Sequence, residues 1–98
     1  MRRIDTNHDG YLVVEHEAVE INATIIGDLI LGMGAEVIML GAVMGQVRVS
    51  AGDLRLHGTV YGDILNSGGV IHIVGLVKGS VHRFGGITHI SAVAPSSL

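Results

Sequence analysis

The stretch of this chain richest in chemistry is Asp5-Thr6-Asn7-His8-Asp9-Gly10-Tyr11-Leu12, followed shortly by Glu15, His16 and Glu17. It follows the calcium-loop pattern D-x-[DN]-x-[DN]-G, in which alternate oxygens, one backbone carbonyl and a glycine at the sharp turn wrap a hard cation. The candidate ligands are Asp5, Asn7, Asp9, the carbonyl of Tyr11, and Glu15. The twelfth position, where a bidentate Glu closes the shell, holds His16 between two glutamates, and no amphipathic helix flanks the segment. Asp, Asn and Gly also make turns without metal, since Asx side chains bond nearby backbone and glycine supplies positive φ. A polar coil turn is therefore the main reading of this segment, with a calcium loop as its alternative.

Six histidines raise the question of a metal or catalytic centre. His72 and His89 occupy the same place in two successive copies of a repeat described below, and Arg55 occupies it one copy earlier. Stacked on one outer face, two imidazoles lack the remaining ligands of a zinc site, and the guanidinium repels the cation. His57 and His82 fall on other columns. Asp28 and Asp63 occupy equivalent positions with Gln46 between them. A carboxylate pair for glycoside chemistry needs a cleft as well as a separation of ~5 to 9.5 Å, and nothing in the chain marks one. No Ser-His-Asp arrangement, phosphate-cradling loop or dinucleotide fingerprint is visible. The expectation is a protein without catalytic residues, cofactor or resident metal.

Whatever these side chains do, they must be held by a chain of 98 residues, 48% apolar, with 15 glycines and one proline. That composition belongs to an ordered domain. A net charge of −3 with six Lys plus Arg supplies no basic stripe for phosphates, so nucleic acid is not an expected partner. The chain has no Cys, which removes disulfides and thiolate metal sites and fits a reducing compartment. No apolar run reaches the ~20 residues of a membrane-spanning helix, and MRRIDTNHDG has no signal-peptide core. A soluble, cytoplasmic chain is expected.

The organisation comes from an internal repeat. Gly41-Ala-Val43-Met-Gly45-Gln-Val47, Gly58-Thr-Val60-Tyr-Gly62-Asp-Ile64 and Gly75-Leu-Val77-Lys-Gly79-Ser-Val81 recur at a spacing of 17. Ala23 to Leu29 fits the frame at an offset of 18, which places one insertion near Gly32 to Gly34. The frame extends back through Ile4, Gly10 and Leu12 and forward through Thr88, Ile90 and Ala92. Apolar residues alternate with period two within each copy, as in Leu54, Leu56, Val60 and Ile64. This is a strand signature. Copies of this length made of strand and turn, with no hairpin loops between them, are expected to stack as coils ~4.8 Å apart, pairing in parallel with the coils above and below. The glycines of Gly-x-Val-x-Gly are expected to face inward at bends too narrow for a Cβ. Those at the joins, Gly34, Gly52, Gly68-Gly69 and Gly85-Gly86, are expected to supply positive φ. The prediction is one all-β domain over 1–98: an N-terminal capping coil 1–16, regular coils 17–85 and a C-terminal partial coil 86–98.

The block G-x-V-x-G-x-[VI], followed about ten positions later by a [VIL]-x-[IL] pair, resembles the bactofilins, bacterial polymer-forming cytoskeletal proteins, from Ile4 to about Ala94. The resemblance implies a single-stranded right-handed parallel β-helix (β-solenoid) of about five to six coils with a period of 17 to 18. It also implies nucleotide-independent, non-polar filaments of the chain itself, a scaffolding role, and a place at the inner face of the cell membrane, with the membrane surface and cell-wall-related proteins as further partners. The alternative is a calcium-stabilised extracellular β-solenoid module, or a segment of an adhesin or phage fibre.

A stack of coils leaves unpaired backbone groups on its first and last coils, and open sheet edges invite another copy to add on. The residues expected at such a polymer interface are Ile4 and Leu12 on the first coil and Phe84, Ile87 and Ile90 on the last. Ile26, Ile38, Leu40, Met44, Val74 and Leu76 fall at outer positions, where they would form an apolar flank.

Overall fold

The computed structural model describes residues 2–90, among which there is no helix. Each coil contributes three short strands. The first coil holds β1 (Arg2–Ile4), β2 (His8–Asp9) and β3 (Leu12–Val14); the second holds β4 (Ala18–Ile21), β5 (Thr24–Ile26) and β6 (Leu29–Leu31). The third holds β7 (Glu36–Met39), β8 (Ala42–Val43) and β9 (Val47–Val49), and the fourth β10 (Asp53–Leu56), β11 (Thr59–Val60) and β12 (Ile64–Asn66). The fifth holds β13 (Val70–Ile73), β14 (Leu76–Val77) and β15 (Val81–Arg83), and β16 (Ile87–Ile90) begins a sixth. Ala92 and the rest of the expected partial coil lie outside the described residues.

Strands of like position pair in parallel, giving a three-sided β-solenoid. Side A runs β1-β4-β7-β10-β13-β16, side B β2-β5-β8-β11-β14 and side C β3-β6-β9-β12-β15. The ladders keep the sequence period, pairing Leu54 with Ile71 and Val60 with Val77. Between the second and third coils the step is longer by one, pairing Val19 with Val37, Ile25 with Val43 and Leu29 with Val47. The extra residue sits in the turn Gly32–Ala35, because the corresponding turn Ser50–Gly52 is one residue shorter. All three ladders absorb it without a break.

Alternation buries one side of every strand. The inward columns are Val19/Val37/Leu54/Ile71 and Ile21/Met39/Leu56/Ile73 from side A, Ile25/Val43/Val60 from side B, and Leu29/Val47/Ile64 from side C. Each fully buried aliphatic side chain is worth roughly 1.5–3 kcal/mol. Columns of like side chains nest on one another, so a core of Val, Ile, Leu and Met closes without aromatic residues.

The frame glycines turn out to be governed by the axis of the stack. Val43 and Val60 point into the core, whereas the flanking glycines are half-exposed. A Cβ on Gly41, Gly58 or Gly75 would overlap the carbonyl oxygen of Ala23, Gly41 or Gly58, the residue one coil earlier in the same column. A Cβ on Gly45, Gly62 or Gly79 would meet the carbonyl of Gly27, Gly45 or Gly62. The crowding comes from the preceding coil's backbone, not from a narrow interior. At the joins, Gly34, Gly52 and Gly86 do take positive φ, at 76°, 84° and 70°. Gly68, Gly69 and Gly85 do not; their space is taken by Ser50 O, by the Val49 Cγ1 methyl together with Gly52 O, and by Ser67 O respectively. His16, in the column of Gly34, is held at φ 55°, a conformation that costs a non-glycine residue about 1 kcal/mol or more.

One buried polar side chain interrupts the aliphatic columns. Asn66 continues Leu31 and Val49 and is fully buried. Its Oδ1 accepts the backbone N–H of Gly68 and Gly69 at 3.2 and 2.9 Å, while its Nδ2 donates to the carbonyls of Gly69 and Ile87 at 3.1 Å and to Thr88 Oγ1 at 3.0 Å. One side chain thus closes the turn Ser67–Gly69 and ties it to β16.

Two substitutions measure these constraints by thermal or urea denaturation. Gly58→Ala, which drives a methyl into a backbone oxygen, is expected to cost about 2–4 kcal/mol, against less than ~0.5 kcal/mol for the neighbouring exposed His57→Ala. Asn66→Leu restores the column but strands the N–H groups of Gly68 and Gly69, the second of them buried; the expected loss is about 1–3 kcal/mol, whereas a neutral result would show that the amide network is dispensable.

Candidate assembly site

Backbone ladders continue until a strand has no neighbour. Among the described residues, β1, β2 and β3 pair on one side only, and so do β16, β14 and β15 at the opposite end. Each end therefore presents three short rows of N–H and C=O groups, the edge chemistry that takes up a further strand.

The five expected interface residues are placed unequally. Leu12 is only 9% exposed and packs into the core beside Leu29, so it lines the first coil from within and offers little to a partner. Ile4 is half-buried against the same core. At the other end Phe84, Ile87 and Ile90 are 70%, 62% and 52% exposed. Ile90 is the informative one, since it tops the inward column Ile21/Met39/Leu56/Ile73 and is a core residue with no coil described above it. Val77 and Val81, half-buried at the tops of two other inward columns, belong to the same surface. The repeat frame marks both as inward, and among the described residues no further strand of side B or side C lies above them. Phe84 lies in the turn before β16, its ring stacked on His82 at 6.0 Å and 7° between planes.

Polar side chains appear where the inward columns run out. Arg2 continues the Val19 column, His8 the Ile25 column and Arg83 the column of Val49 and Asn66. Arg2 and Arg3 reach back to Glu17 and Glu20 at 3.2 and 3.0 Å. These exposed pairs contribute about 0–1 kcal/mol each.

The calcium-loop residues are wound around the coil instead of around a point. Asp5 follows β1 on side A, Asp9 lies on β2 of side B, and Glu15 follows β3 on side C. Asn7 Oδ1 accepts the backbone N–H of Thr24 at 3.0 Å, Asp5 Oδ1 faces Asn22 Nδ2 at 3.4 Å, and the carbonyl of Tyr11 meets His8 Nε2 at 2.9 Å. Among the described residues no three of His, Cys, Asp and Glu gather in a metal-holding group. Asn7 and Asp5 act as turn clips between the first two coils.

Asp28 and Asp63 do the same work further along. Asp28 Oδ1 accepts the N–H of Gln46 and Asp63 Oδ1 that of Ser80, both at 2.9 Å, one coil onward. His72 and His89 lie one above the other on side A with ring centroids 5.8 Å apart and planes tilted by 58°, and Arg55 lies below them. A depression of about 190 Å³ on the same side is lined by Glu36, Val37, Ile38, Asp53 and Arg55, smaller than the ~300 Å³ at which small-molecule sites begin. The outer apolar residues fall mainly along side B and its corner with side A: Ile26, Met44 and Tyr61 stack in one outer column, beside Leu76, Leu40 and Val74.

These features define a short, three-sided parallel β-solenoid whose described coils end in unpaired edges, one of them apolar. Compared with family models, curated proteins and solved structures, the chain finds no match.

The clip geometry makes a direct forecast about calcium. Titrating it to millimolar levels is expected to leave the melting temperature unchanged; a rise with concentration, as mass action requires of native-state binding, would restore the calcium loop.

Proposed function

We propose that this protein is a structural, self-assembling scaffold whose coil stacks join end to end into nucleotide-independent filaments. The observation that carries the reading is Ile90, a core-column residue half-exposed above the last complete coil, with Val77 and Val81 topping other inward columns and with edges of β14, β15 and β16 that are unpaired among the described residues. Apolar area of this kind is what a second copy would remove from water. The open edges would supply main-chain hydrogen bonds alongside it. Repetition is the functional property: uniform coils make a stiff unit, and joined units make a longer one on which other proteins can dock. The resemblance of the Gly-x-Val-x-Gly repeat to the bactofilins supports the same reading and suggests a cytoplasmic site beneath the membrane. The outer flank of Ile26, Met44, Leu40 and Leu76 would then be the surface turned toward lipid or toward cell-wall-related protein partners.

Purified chain without nucleotide is expected to form filaments by electron microscopy. Ile90→Arg on the end surface is expected to lower sedimentable polymer several-fold, while Arg55→Ala on side A leaves it near wild type, both variants keeping their β-type circular dichroism. Protein that stays monomeric at high concentration would instead favour an isolated binding module or a fibre segment. Equal effects of the two substitutions would remove the end-on contact.

A further inference from the structure

Side B differs from the other two faces in carrying no charge through its middle. Outward residues on the second to fourth coils of side A include Glu20, Glu36, Asp53 and Arg55, and Arg48 of β9 points outward on side C. On β5, β8 and β11 there is no Asp, Glu, Lys or Arg. One outer column of side B instead reads Asp9, Ile26, Met44, Tyr61, Lys78, one residue per coil. Its three central members are half-exposed, and Thr24, Ala42 and Thr59 form the column beside it. The two charged members stand exposed at its ends. Lys78 leans over the Tyr61 ring at 5.7 Å, and neither it nor Asp9 has an opposite charge within ion-pairing distance among the described residues. Four coil spacings of ~4.8 Å place the two about 19 Å apart. That exceeds the ~8–10 Å screening length of physiological salt, so they do not neutralise each other within one chain.

We propose that side B seats side B of a second copy, with the two coil axes antiparallel and Met44 on the two-fold axis. A two-fold contact is isologous, residue i meeting j while j meets i. An axis laid along the strands reverses the column, so that Met44 faces Met44, Ile26 faces Tyr61, and Asp9 faces Lys78 at both edges. An axis laid along the coils sets Asp9 on Asp9 and Lys78 on Lys78. Like charges beside a desolvated apolar strip disfavour that orientation, even where burial supplies most of the affinity. A lipid surface fits less well, because anionic headgroups recruit clusters of Lys and Arg, and this column offers Lys78 alone with Asp9 at its other end. In the scaffold proposed above this flank turns toward lipid or other proteins; its charge pattern fits a second copy of the chain better. The pairing does not depend on end-to-end assembly. Antiparallel neighbours also suit filaments without direction, as the resemblance implies, and joined units multiply a strip that is small by itself.

The chain has no Cys, so engineered thiols report cleanly. Thr24→Cys and Thr59→Cys lie in the neighbouring outer column, one coil to either side of Ala42, and leave the apolar column intact. With one variant enlarged by a tag, a short bis-maleimide added to the mixture is expected to give the crosslink between the two variants in several-fold excess over either homodimer. Homodimers in excess overturn the antiparallel orientation, and absence of any crosslink overturns the pairing. Electron microscopy of the same samples reads end-to-end assembly separately: filaments without crosslinks overturn the pairing and spare the scaffold, whereas crosslinked pairs without filaments support the pairing and overturn the scaffold. As a second measurement, Asp9→Lys or Lys78→Asp alone, folded by circular dichroism, is expected to lower the mixed crosslink several-fold, and the double exchange Asp9→Lys/Lys78→Asp to restore it. A double exchange that stays as low as the single ones counts against the charge pairing. Co-sedimentation with anionic phospholipid vesicles that Met44→Asp abolishes would give the face to lipid and overturn the proposal.

Discussion

The constraint on which the rest of this molecule depends is the axial approach of one coil to the next. Backbone donors of each coil meet carbonyls of its neighbour at 2.8–3.3 Å on all three sides, and at two corners per coil that approach leaves no volume for a Cβ. Glycine in the column Gly41/Gly58/Gly75 and in the column Gly45/Gly62/Gly79 follows directly. Once those corners are fixed, strand register is fixed as well, and with it the inward alternation that buries the aliphatic columns. Packing between coils comes before packing across them, which is why an interior of aliphatic residues with no aromatics still closes.

Much of this was legible in the sequence, because a period is visible without knowledge of the third dimension. The repeat spacing, the alternation and the insertion near Gly32 carried over into strand positions and one lengthened step in every ladder. The cause assigned to the frame glycines did not. Sequence spacing says that two positions are small, but not whether the competing atoms lie across the core or along the axis. The clips formed by Asn7, Asp28 and Asp63 were likewise out of reach, since each bonds a residue in the following coil. Read locally, these carboxylates and amides look like ligand sets.

The end residues show the same limit from another direction. Leu12 and Ile90 both satisfy the inward frame, and the frame cannot tell which of two inward residues has a coil above it. In the structure Leu12 lies packed into the core while Ile90 is left half-bare. Asn66 had a signal that could have been read, a polar residue in a column of Leu and Val, immediately before Ser67-Gly68-Gly69. Buried amides in such places are usually spoken for by backbone, and here that backbone is the turn itself and the strand that follows.

The lengthened turn at Gly32–Ala35 has a consequence of its own. It occupies the side C to side A corner, and the corresponding turns Glu15–Glu17, Ser50–Gly52, Ser67–Gly69 and Phe84–Gly86 form a ridge down the molecule. Since an additional residue there perturbs none of the ladders, the ridge uncouples chain length from coil geometry. Peptides or fluorophores grafted at successive crests would be held in single file, graduated like marks on a ruler at intervals of ~4.8 Å.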